Sequence, residues 1–244
     1  MRQVLIIAQR EFSSYFATPV AYVFVAIFLM LSGVFTFFLG DWYERGQADL
    51  LPFFNVNPWL YLFLVPAIAM RSWAEERKSG TIELLMTLPV SVWEVVAGKF
   101  LAGWAMLALT LAMTCPLWLT VNYLGSPDNG IILAAYVGSW LMSGAFLAIG
   151  LCMSAITRNQ VIAFILAIVV CFVFVFSGST LVLDAFEPWA GNAILDGVAA
   201  LSFLTHFEAM AKGVLALNDV MYFLVVIVVW LYASLVVIEL KKAE

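Results

Sequence analysis

Val220-Met-Tyr-Phe-Leu-Val-Val-Ile-Val-Val-Trp-Leu-Tyr-Ala-Ser-Leu-Val-Val-Ile-Glu-Leu240 carries one charge, Glu239, and that lies at its end. A hydrocarbon core of about 30 Å needs roughly 20 helical residues at about 1.5 Å each, so this stretch is long and apolar enough to cross a bilayer. Four more runs meet the same test: 20–39, 92–121, 131–156 and 161–182. Over the whole chain of 244 residues, 65% are hydrophobic and 11% charged, with a mean hydropathy of +1.04. That excess of apolar surface excludes an ordinary soluble domain and predicts an all-α membrane protein.

A sixth run, from Trp59 to Met70, is shorter and contains Pro66, so on length alone it could be re-entrant. Its flanks extend it. Asn57-Pro58 reads as an N-cap followed by a helix-starting proline, and the helix can continue past Arg71 and Trp73, giving a span over 58–78. With six spans and both termini inside, only Arg45 and Lys212 of the eleven Lys and Arg lie outside. The count barely separates this from the model in which the short run does not span. The six-span reading is preferred because the alternative exports Arg2 and Arg10 without a signal sequence to do so. It places Trp42, Tyr43, Trp59, Tyr123 and Trp189 near the outer interface, and Trp73 and Trp93 near the inner one.

Three segments lie outside the lipid. In residues 1–18, Val4, Leu5, Ala8, Phe12, Tyr15 and Phe16 recur at helical spacing, opposite Arg2, Gln3, Gln9, Arg10, Ser13 and Ser14, as in a helix lying in the interface. Between the second and third spans, Gly80 can end the incoming rod and also cap a new helix in which Glu83 faces the positive end. Pro89 disfavours helix at Leu88, leaving about two turns over 81–88. Ser91-Val-Trp-Glu94 then forms a capping box that opens the third span. Ile82, Leu85 and Met86 share one face of the short helix, which suits either an interfacial loop or docking to a partner. Residues 184–218 are too polar for lipid and too few for a catalytic domain, and read as a helical cap with Thr205/Glu208 as a capping box and Gly213 as a stop.

Little in the chain suggests catalysis. Gly98-Lys99 looks like the tail of a phosphate-binding loop, but Trp93 and Phe100 replace its first glycine and its hydroxyl residue, so Lys99 reads as a snorkelling lysine in a span. His206, the sole histidine, has no metal-ligand context and reads as structural or interfacial. Cys115, Cys152 and Cys171 sit in apolar runs as packing residues. The middles of the spans hold no carboxylate, against ion-coupled transport, and no basic tract could neutralise a nucleic acid. Gly138, Ser139, Ser143, Gly144 and Gly150 read as close-packing positions on the fourth span.

The stretch from Met70 to Lys99, with Ala74-Glu75-Glu76-Arg77-Lys78, Gly80-Thr81-Ile82-Glu83-Leu84-Leu85, Thr87, Pro89 and Gly98-Lys99, resembles the signature of permease subunits of type-2 ATP-binding-cassette (ABC) transporters, most of all the gliding-motility type. Pro19-Val20-Ala21-Tyr22-Val23-Phe24, His206-Phe207, Gly213-Val214 and Asp219-Val220 agree with it. The resemblance implies six spans, an N-terminal interfacial connecting helix carrying Arg10, Phe12 and Phe16, and extracytoplasmic re-entrant helices before the last span, in the segment holding Glu187, His206, Phe207 and Gly213. It makes 81–88 a coupling helix seated in a separate ATPase, with Glu75, Glu76, Gly80, Thr81, Glu83, Leu84, Leu85, Leu88 and Pro89 forming the coupling region. It further implies two permeases with two ATPases, ATP and Mg on the ATPase, an auxiliary protein with a large external domain, and a bacterial inner-membrane location. Either the dimer moves a substrate, as an exporter would, or it passes the ATPase's motion to an external partner without translocation.

Overall fold

The computed structural model describes residues 2–40, 42, 44–80, 90–186 and 191–241, and its regular structure is helical throughout. The interfacial segment is α1, Arg2–Ala17, and Val20–Val34 is α2, which widens into a π-turn over Phe35–Leu39. Next come α3, Leu51–Ala69, and α4, Arg71–Ser79, which form one rod of 29 residues. The central part of the chain holds α5, Val92–Ala112, α6, Cys115–Leu124, and α7, Asn129–Ile156. Then follow α8, Gln160–Phe176, α9, Thr180–Phe186, α10, Asn192–Ala199, α11, Phe203–Ala211, and α12, Leu217–Leu240.

Five helical rods are long and apolar enough to cross a membrane, beginning at Val20, Leu51, Val92, Asn129 and Leu217. Together with the family evidence below, they make this a multi-pass membrane protein. The sixth rod, α8, has 17 residues and covers about 25 Å, a little under the core thickness. The predicted run over 161–182 is therefore divided: the chain turns at Ser177–Ser179 before α9.

At the centre stands α7, buried along most of its length and in contact with α3, α4, α5, α8, α11 and α12. Its small residues allow that crowding. A Cβ on Gly150 would fall 2.5 Å from the Ala69 Cβ, so α3 touches α7 backbone to backbone. Trp104 of α5 and Trp140 of α7 stack at 4.0 Å, and each indole N–H donates to the other's carbonyl, at 3.0 and 3.4 Å.

Several local signals give way to burial. Asn57 is not an N-cap: α3 begins at Leu51 with Pro52 in its first turn, and both Pro58 and Pro66 lie inside the helix. Fully buried Asn57 instead donates Nδ2–H to Ser139 Oγ at 3.0 Å, which also pairs with the Tyr61 hydroxyl at 2.8 Å. A polar group facing apolar neighbours takes the partner it finds, and adjacent helices sustain the ladder that proline interrupts. The run 92–121 breaks after Ala112 because Pro116 lacks an N–H. Thr114 Oγ1 donates to Leu111 O at 2.6 Å and meets the Tyr136 hydroxyl at 2.9 Å. In the cap, Ser202 replaces Thr205 as N-cap and accepts from Thr205 N at 3.4 Å, since burying Phe203 and Phe207 against the bundle draws the helix start forward. Gly213, at φ +89°, ends α11 in the left-handed conformation.

Candidate functional site

The helix ends around residues 80–91 are fixed by local chemistry. At the end of α4, Gly80 adopts φ +74°, which glycine enters without a Cβ penalty. On the other side, Ser91 and Glu94 close the capping box: Glu94 N donates to Ser91 Oγ at 3.3 Å and Ser91 N to Glu94 Oε2 at 3.1 Å. Thr81, Glu83, Leu84, Leu85, Leu88 and Pro89, with the rest of the expected coupling helix, lie outside the described residues.

At the other end of α4, its junction with α3 is held by one side chain. Ser154 of α7 accepts from Trp73 N and Ala74 N at 3.1 Å and donates to Met70 O at 2.8 Å, a side-chain insertion of the kind that redirects a helix. Glu75 faces solvent and takes Arg71 at 3.1 Å. Glu76 faces inward.

Lys99 does not snorkel. It is 4% exposed, with Nζ 2.7 Å from Glu76 Oε1, 3.3 Å from Glu11 Oε2 and 5.2 Å from the centre of the Trp73 ring. Trp73 itself is fully buried rather than placed at the lipid interface. Lys99 stands two turns into α5, enclosed between α1 and α4, so the ion must be matched where it lies. Two carboxylates from separate elements match it. Burial alone would raise the Glu11 carboxyl's pKa, but the charges of Lys99 and Arg10, the latter at 2.8 Å, outweigh burial and hold it below the ordinary value of 4.5.

Glu11 reaches Lys99 because α1 lies along α5. Its inward stripe is Val4, Ile7, Ala8, Glu11, Phe12, Tyr15 and Phe16, while Leu5, expected inside, is 66% exposed. A Cβ at Gly98 would fall 2.6 Å from Ile7 Cγ2, so Gly98 sets the approach of the two helices. Arg10 projects outward, and the Phe12 and Phe16 rings meet tilted, with centroids 5.2 Å apart, against the core. The three cluster residues line a cavity of about 310 Å³ together with Tyr15, Thr18, Arg71 and Ser72. Burial pushes the Tyr15 hydroxyl up to about 12, so it stays neutral.

The cap residues lie at the other end of α7. Gly213 abuts Ile131 and the α3–α4 junction abuts Ser154, about 34 Å apart along that helix. His206 Nδ1 meets Asp219 Oδ1 at 2.6 Å, its Nε2 meets Ala200 O at 3.0 Å, and its ring stacks on Tyr222 at 3.9 Å. With Phe207 buried, this ties α11 to α12, a structural use of the histidine. Glu187 lies outside the described residues.

The structure thus unites Glu76, Lys99 and Glu11, with Arg10 joined to them through Glu11, and leaves Glu75 and the cap residues outside the cluster. Glu11 and Lys99 were missed as partners, although a carboxylate inside an apolar stripe and a lysine inside a span each called for an opposite charge.

These features define a helical transmembrane subunit with an internally braced end. The family described as ABC-2 family transporter protein matches residues 60–241, most of the chain, and the chain belongs to it. It is therefore a membrane permease component of an ABC transporter, a family that works with an ABC ATPase. No curated protein is significantly similar to the chain.

Proposed function

We propose that this permease couples ATP hydrolysis on a separate ATPase chain to export of a substrate across a bacterial inner membrane, with both termini cytoplasmic and residues 81–88 as the coupling helix. Two permease copies would work with two ATPases, which carry ATP and Mg, and the gliding-motility subtype would add a partner with a large external domain. One observation carries the reading: the Glu76–Lys99–Glu11 cluster joins the helices on either side of 81–89 to α1. A push on that segment reaches α4 and α5 together, and through them α1.

A second reading, motion passed to an external partner without translocation, draws on the tie between His206 and Asp219, which couples the cap to the last span. The test common to both is recovery of the ATPase. Leu85→Asp places an unpaired carboxylate in an apolar contact and should insert normally but lose the ATPase on pull-down from mild detergent. Equal recovery with normal ATP-dependent activity would reject the coupling-helix assignment.

A further inference from the structure

A groove of about 550 Å³ opens on the surface of the bundle at the cap end of α12. One wall is a stripe at helical spacing: Met221, Tyr222, Val225, Val226 and Val229. The other is Phe174 of α8 and the turn at Ala200 and Leu201. From Asn218 at the mouth to Val229, the groove runs about 17 Å, close to half of a 30 Å hydrocarbon core.

We propose that this groove holds one acyl chain of a phospholipid from the leaflet on the Asn218 side. Length favours a single chain in one leaflet. Chemistry disfavours a polar occupant. At the mouth, the Tyr222 hydroxyl is spent on Leu201 O at 2.5 Å and the His206 ring on Asp219 and Ala200, so these groups offer rings rather than hydrogen bonds. The exposed Asn218 amide is left at headgroup level, which matches an amphipathic molecule with its polar end up. Retention comes from close contact on several sides, because moving a chain from lipid into the groove brings no hydrophobic gain.

The inference needs only that these helices lie in a bilayer, and it stands or falls apart from the ATPase reading. The purified protein would be placed in nanodiscs of one phosphatidylcholine, spiked with the same lipid carrying a diazirine along its chain, then illuminated and mapped by mass spectrometry. Val228, on the same helix but outside the groove and 58% exposed, is the internal control for Val225 at 53% and Val229 at 57%. Adducts should favour Val225 and Val229 over Val228 several-fold. Val225→Trp, which fills the groove from an exposed position, should remove that preference while leaving helical content unchanged. Val229→Trp serves as a second filler should the first fold poorly. Equal labelling of the three valines would mean ordinary boundary lipid and would overturn the proposal. A disulfide between copies carrying Val225→Cys would overturn it too, by making the groove a contact with a second permease.

Discussion

Lys99 carries more consequence than any other single residue. Replacing it with Met leaves Glu11 and Glu76 facing each other without their cation, and breaking a buried pair from one side typically costs about 3–5 kcal/mol. Thermal unfolding in detergent should show that loss, with α1 amides exchanging fastest. Glu11→Gln should be milder, because the shorter contact to Glu76 survives. The cluster also sets a pH dependence. Glu11's folded pKa lies below 4.5, so its contribution is complete above that value and disappears as pH falls through the lowered one. Hydrogen exchange in α1 should accelerate in that acid range for the parent and much less for Glu11→Gln. Lys99 was visible in the sequence as a charge in a span, but its partners lie 23 and 88 positions away, and only the packing of α1 on α5 brings them together.

Elements were legible where their ends face water and illegible where they do not. The Ser91/Glu94 box reads directly from spacing because its bonds run between residues three apart in the chain, with Ser91 exposed and Glu94 half-buried. Ser91→Ala should therefore cost about 1 kcal/mol, seen as faster exchange of amides 92–95. Asn57-Pro58 and Thr205/Glu208 show the same kind of local pattern, yet buried surface around Asn57 and Phe203 decides where those helices run. In α1 the stripe was readable to within a residue, with Ile7 and Glu11 facing in and Leu5 out. Phe12→Asp should weaken seating of that helix by a few kcal/mol, on the order of one half-buried aromatic lost plus a charge at the boundary. Complex yield should fall while membrane insertion holds, as measured by extraction and size-exclusion profiles.

For the whole molecule, hydrophobic run length sufficed for the all-α membrane class, because in lipid an unbroken apolar run of this length satisfies its own backbone groups as a helix, whereas barrel strands alternate apolar and polar residues. The orientation of those runs rests on the basic residues. Cysteines at Ser79 and Ser126, in a background without the three native ones, should label from opposite sides of the membrane, and labelling from one side would refute the six-span arrangement. The proposed function calls for a docking surface next to α4, and the chain's own lysines can report it. Lys78 is exposed just before the proposed coupling segment, and Lys212 is exposed at the cap end of the bundle. The most direct test is amine cross-linking and mass spectrometry of the complex purified in mild detergent. The account predicts cross-links from Lys78 to an ABC ATPase and none to it from Lys212. An ATPase cross-linked through Lys212, or recovered without any contact at Lys78, would contradict it.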